Sequence, residues 1–235
     1  MYKGIYIALS GAVLKRSNMD IFAQNIANVN TPGYKKERIS FKDYIIPVDN
    51  KMNLTEDGRV MADLSKSIID FSSGTIMRTG NPLDLAINGE GFFALEEGRY
   101  TRNGNFMISS DGYLTTKDGV KVLGDGGPIA VQGSSIDISA SGEVIVDEKP
   151  VGKMKIVNFP DTGALKKLSG GMFATDETGE TVDSQISQGF LEQSNVNAIQ
   201  EMVQMLATTR EFESYQKLIQ SFDEASSKAI NELGK

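Results

Sequence analysis

Apolar positions follow two different rhythms along this chain. From Gly4 to Asn28 there is no proline, and Ile5, Leu9, Ala12, Met19, Ala23 and Ile26 recur in alternating steps of four and three, with Arg16 the one interruption. That spacing predicts an amphipathic helix of about 25 residues, about 37 Å long. Alanines keep its seam narrow, and Phe22 lies on the flank. Proline cannot continue the helical ladder, so Asn28, Asn30, Thr31, Pro32 and Gly33 read as a helix stop and turn.

The C-terminal end carries the same rhythm for longer. Asn197 with Gln200 three residues on has the form of a capping box. From there to Leu233 there is neither glycine nor proline, and Met202, Met205, Phe212, Tyr215, Ile219, Phe222, Ala229 and Leu233 lie on one stripe, with Thr209 and Ser226 filling its gaps. The mean step of roughly 3.5 is the coiled-coil period. A lone amphipathic helix is marginal in water. These stripes therefore require cover from each other, from the rest of the chain, or from other copies.

Between the helices the rhythm shortens. Gly91-Phe92-Phe93-Ala94-Leu95 and Arg99-Tyr100-Thr101 flank Glu96-Glu97-Gly98, a hairpin signal. Asp111-Gly112 and Asp118-Gly119 are further turn dipeptides, and Ile136-Asp137-Ile138 and Val144-Ile145-Val146 are short β-branched runs. The expectation is an α+β chain. Residues 1–30 form an N-terminal helix, 31–75 a polar extended connecting segment with a turn at Asp57-Gly58, 76–190 a central all-β domain, and 191–235 a C-terminal helix.

Composition narrows the chemistry. The absence of cysteine and histidine excludes a thiol nucleophile, a histidine-based triad and ordinary zinc sites. A formal net charge of −7 with no basic stripe argues against nucleic acid and anionic membrane surfaces as partners. Lys35, Lys36 and Arg38 around Glu37 read as a solvated loop, as does the acidic group Asp176, Glu177, Glu180 and Asp183, which lacks EF-hand spacing. No catalytic, cofactor-binding or metal-ligating residues are expected, and no apolar run reaches the roughly 18 residues of a membrane span. Ile5 to Leu14 follows Lys3 like a signal-peptide core, but no Ala-x-Ala-like site follows and the helical pattern runs on through Lys15-Arg16, so no cleaved signal is expected.

Four segments in order resemble the flagellar basal-body rod and hook protein family: Ser10-Gly11-Ala12 with Asn25-Ile26-Ala27-Asn28-Val29-Asn30-Thr31-Pro32-Gly33-Tyr34-Lys35; Thr79 to Phe93; Tyr100 to Phe106 with Asp111 to Leu114 and Val122 to Gly124; and Gly189 to Asn197 with Glu201-Met202-Val203 and Arg210-Glu211-Phe212-Glu213. The resemblance implies a non-enzymatic rod subunit that polymerises helically into the tubular drive shaft crossing the periplasm. It implies type III export without signal cleavage, and terminal helices paired as a coiled-coil-like inner domain. The implied partners are the same chain, other rod subunits, the surrounding basal-body rings and the export apparatus. Within the family the modest length and the Arg210-Glu211-Phe212-Glu213 ending look more like a proximal than a distal rod subunit. On this reading Ile5, Leu9, Ala12, Met19, Ala23, Ile26, Met202, Met205, Phe212, Ile219 and Phe222 contribute to an assembly interface, and the 28–33 turn launches the chain outward from the inner helix. The rival reading is a secreted β-rich carbohydrate-binding module or hydrolase, which needs only a carboxylate pair. The lack of tryptophan and the heptad-like ends weigh against it.

Overall fold

A computed structural model describes residues 2–39, 42–45, 60–63, 67–133 and 135–233, with α-helices at both ends and a multi-stranded β region between them. The chain divides into two compact units. The Asp57-Gly58 turn expected in the connecting segment lies outside the described residues, as do the side chains of Ala229 and Leu233.

The first unit holds residues 1–27, 37–69 and 197–235. Helix α1 spans Tyr2–Ala27 and helix α2 spans Ala198–Leu233, about 39 and 54 Å at 1.5 Å per residue. Asn197 starts α2: its Oδ1 accepts the Gln200 N–H at 3.2 Å and its carbonyl accepts the Glu201 N–H at 3.0 Å. The connecting segment contributes two antiparallel ladders, Glu37–Ile39 with Ser67–Ile69 and Lys42–Ile45 with Val60–Asp63.

The second unit holds residues 28–36 and 70–196. Its main sheet is antiparallel and six-stranded, in the order Lys166–Lys167, Met172–Ala174, Arg99–Thr101, Phe92–Leu95, Ile156–Asn158, Glu180–Thr181. Phe92, Phe93, Ala94 and Leu95 are all buried, which is why this central strand reads as a continuous apolar run without alternation. Glu96–Gly98 forms the predicted hairpin turn, with Glu97 at φ 63° and Gly98 at φ 65°. The runs at 136–138 and 144–146 pair with each other and then with Lys149–Lys153. One apolar core joins these pieces through Leu85, Phe93, Leu114, Val122, Val144 and Ile156. A second cluster is aromatic: Phe71 packs edge-on against Phe92 and Phe173, with centroids 5.4 and 5.2 Å away.

Candidate assembly surface

In the helical unit α1 and α2 run antiparallel, because the paired positions ascend on one helix as they descend on the other. Gly4 meets Phe222, Gly11 meets Tyr215, Lys15 forms an ion pair with Glu211, Met19 Sδ accepts the Thr209 hydroxyl at 3.4 Å, and Asn25 meets Glu201. A Cβ on Gly4 or Gly11 would sit 2.8 or 2.7 Å from the facing ring. The two glycines are therefore notches that let aromatic side chains of α2 lie against the α1 backbone.

The C-terminal stripe supplies most of this seam. Met205, Thr209, Phe212, Tyr215, Ile219, Phe222 and Ser226 are all half-buried, whereas Met202 points outward. On α1 the seam runs through Gly4, Ala8, Gly11, Lys15 and Met19, at steps of four and three, and on to Asn25, and it overlaps the apolar series only in part. Of that series Ala12 is buried, Ile5, Met19 and Ile26 are half-buried, and Leu9 and Ala23 are exposed. Asn25 is fully buried, and its amide bridges three segments. Its Nδ2 donates to the Glu37 carbonyl at 2.9 Å and to Glu201 Oε2 at 3.0 Å, while its Oδ1 accepts the Glu37 N–H at 3.0 Å.

Outside the seam each helix carries a second apolar face that the sequence reading passed over. On α1, Tyr6, Ile7 and Val13 join Leu9 in solvent; on α2, Ile199, Val203 and Leu206 join Met202, and the most exposed of these reaches 77%. The spacing 6, 9, 13 and 199, 202, 203, 206 was available as a signal, since both helices are apolar on more than one side. The two patches lie toward opposite ends of the pair. Asn25 is level with Glu201 and Met19 with Thr209, so Val203 stands beside roughly residue 23, about 21 Å along the axis from Leu9.

The predicted turn belongs to the β-rich unit. Helix α1 ends at Ala27, the Thr31 N–H donates to the Asn28 carbonyl at 3.0 Å and the Thr31 hydroxyl to Asn28 Oδ1 at 3.2 Å, with Asn30 exposed and Pro32 half-buried. Gly33 has φ 67°, and a Cβ there would lie 2.4 Å from the Arg102 carbonyl carbon and the Asn103 nitrogen, so only glycine fits.

Lys35, two residues on, corrects the expectation of a solvated cluster. It is 1% exposed, and its Nζ donates to Glu192 Oε1 at 2.7 Å and to the Ser72 carbonyl at 2.8 Å. Glu192 also accepts the Gly74 N–H at 2.8 Å, and its Oε2 lies 3.3 Å from Arg102 Nε. Arg102 Nη2 donates to the Gly89 carbonyl at 2.6 Å. Two cations thus share one buried carboxylate. Burial pushes the Lys35 amine below its ordinary range, and Glu192 opposes that shift without cancelling it. Arg102 is lowered for the same first reason. By contrast the acidic 176–183 group is solvated, with Asp176 beside Lys166 and Asp183 beside Lys153. Among the described residues no helix is long and apolar enough to cross a membrane.

Comparison with known proteins places these features in one family. Residues 5–35 match the profile described as Flagella basal body rod protein, residues 86–146 match Flagellar hook protein FlgE/F/G D1 domain, and residues 187–232 match Flagellar basal body rod FlgEFG protein C-terminal. The chain is 33% identical to the flagellar basal-body rod protein FlgG of Bacillus subtilis over 98% of its own length and 99% of that protein's. It is 32% identical to the rod protein FlgF of Caulobacter vibrioides, covering 100% and 99%, and 32% identical to FlgF of Salmonella typhimurium, covering 97% of each. Profiles that span both terminal helices and part of the β-rich unit, and relatives aligned over nearly their whole length, make this chain a member of the flagellar basal-body rod protein family.

Proposed function

We propose that the chain is a structural subunit of the flagellar basal-body rod, polymerising with other rod subunits into the tubular drive shaft that crosses the periplasm and transmits torque. The observation that carries this reading is the pair of apolar patches on the helical unit, one on α1 at Leu9 and one on α2 at Val203, set toward opposite ends. Two different patches that meet between copies make a heterologous contact, and such contacts generate open helical assemblies when they do not close. The residues marked by the sequence pattern then divide between two roles. Leu9 and Met202 lie in the outer patches and Ala23 is also exposed, while the half-buried Met205, Phe212, Ile219 and Phe222 stiffen the helix pair beneath them.

Export through the type III apparatus without signal cleavage, and a place inside the basal-body rings, belong to the same proposal. The proximal rod is the favoured position, on the chain's modest length and its Arg210-Glu211-Phe212-Glu213 segment. Relatives named FlgF and FlgG match at 32% and 33%, so identity does not separate the two positions. Membership in a family of structural proteins implies a role without catalysis, and favours the rod over the carbohydrate-module reading. Val203→Asp tests the proposal. The buried seam and the β-rich unit do not contain this side chain, so the protein should fold and be exported yet fail to restore rods in a deletion strain. Normal rods in that strain would refute the assigned surface.

A further inference from the structure

The β-rich unit is made of two stretches, 28–36 and 70–196, so three of its segments carry the chain to the other unit: 28–36, the segment that opens at Asp70, and the segment that closes at Val196. Two side chains of the last segment each bond both of the others. Glu192 Oε1 accepts from Lys35 Nζ at 2.7 Å and from the Gly74 N–H at 2.8 Å. Asn195 Oδ1 accepts the Lys36 N–H at 2.8 Å, and its Nδ2 donates to the Asp70 carbonyl at 2.8 Å and to the Ser72 carbonyl and hydroxyl at 3.1 and 3.0 Å. Backbone bonds close the same circuit: Gly33 N–H to the Glu192 carbonyl, Asp70 N–H to the Lys36 carbonyl and Gln193 N–H to the Thr75 carbonyl, each at 2.8 Å.

We propose that Glu192 and Asn195 are positioning residues that clasp these three segments into one element, so that load entering along any of them is shared by all. A sheet gains stiffness from a backbone ladder. Here side chains add cross-links to the backbone bonds, and segments linked in this way open together. The load-sharing part rests on the rod reading above, whereas the clasp itself does not.

Hydrogen exchange on the full-length chain tests the clasp directly. Asn195→Ala removes four hydrogen bonds outside the apolar core, and Glu192→Gln keeps the side-chain shape while removing its charge. The amides of Lys36, Asp70 and Gln193 should exchange about tenfold faster or more in either variant, as expected when one or two hydrogen bonds, or the charge that strengthens them, are lost. Amides of the core strand Phe92–Leu95 should hold their wild-type rates. In a deletion strain the Asn195→Ala chain should still enter rods while swimming speed falls. Unchanged exchange at the three amides in both variants overturns the clasp, and faster exchange with normal swimming overturns its load-bearing role. If the unaltered chain itself fails to enter rods, the assembly reading falls while the exchange result stands.

Discussion

Glu192 offers the sharpest energetic test, because one carboxylate serves two buried cations and a backbone donor. Glu192→Ala strands Lys35 and Arg102, 1% and 4% exposed, leaving Asp70 and Glu90 as the carboxylates that still act on them. Breaking a buried ion pair by deleting one partner costs about 3–5 kcal/mol. The orphaned Gly74 N–H adds about 1–3 kcal/mol, though the two overlap within one site. Lys35 also has an escape. Stripping the proton from an ordinary lysine at neutral pH costs about 4.8 kcal/mol at 1.36 kcal/mol per unit, and burial has already reduced that cost. The loss should therefore come to about 4 kcal/mol, near the middle of the buried-pair range. Lys35→Met should behave differently. It removes the surplus cation, leaves Glu192 with Arg102 and Gly74, and leaves the Ser72 carbonyl with its bond from Asn195. A near-isosteric apolar replacement of this kind should cost less than about 1.5 kcal/mol. Urea unfolding of the full-length chain, followed by near-UV circular dichroism of its tyrosines, of which Tyr34, Tyr100 and Tyr113 belong to the β-rich unit, measures both. Equal losses for the two variants, or a loss under about 1 kcal/mol for Glu192→Ala, would refute the claim that this carboxylate holds a net positive buried cluster together.

Gly33→Ala should lower stability by about 3 kcal/mol, combining the left-handed backbone cost with overpacking against Arg102 and Asn103, as a thermal melt would read; a shift of a degree or less would contradict it. Gly11→Leu should separate α1 from Tyr215 and cost about 1–3 kcal/mol despite better helix propensity, seen as loss of helical circular dichroism before the β signal; a gain in helix stability would mean the notch is not used. The lowered Lys35 pKa means that the unfolded chain binds more protons than the folded one just below the ordinary lysine value of 10.5, so this group's contribution to stability rises with pH there. Wild type should accordingly gain on Lys35→Met as pH is raised toward that value in paired urea titrations, and a flat or falling difference would reverse the assignment.

The parts of this molecule written in local periodicity were legible in the sequence. Both helices, the stop at 28–33, the hairpin at Glu96–Gly98 and the pairing-competent runs at 136–138 and 144–146 follow from spacing and turn chemistry. The α2 stripe includes Thr209, Tyr215 and Phe222, which meet α1, but Met202 on it faces outward and the seam residues Glu201 and Glu211 lie off it. On α1 the same counting drifted, since the seam there is built from Gly4, Ala8, Gly11, the stem of Lys15 and Asn25, none of which scores as a large apolar residue. Lys35 was the clearest misreading. Its neighbours Lys36, Glu37 and Arg38 make a charged run, and only the fold brings Ser72, Arg102 and Glu192 to it from 37 to 157 residues away. Partners at that separation leave no trace in a local window.

The claim on which the account depends is that the α1 patch of one subunit meets the α2 patch of a neighbour. The chain has no cysteine, so Leu9→Cys and Val203→Cys can be introduced together without background. Within one protomer the two positions are about 21 Å apart along the helix axis, far beyond disulfide reach. Oxidation of basal bodies carrying both substitutions should give a ladder of disulfide-linked subunits that neither single variant gives. Monomer alone from correctly built rods would show that these two surfaces do not touch.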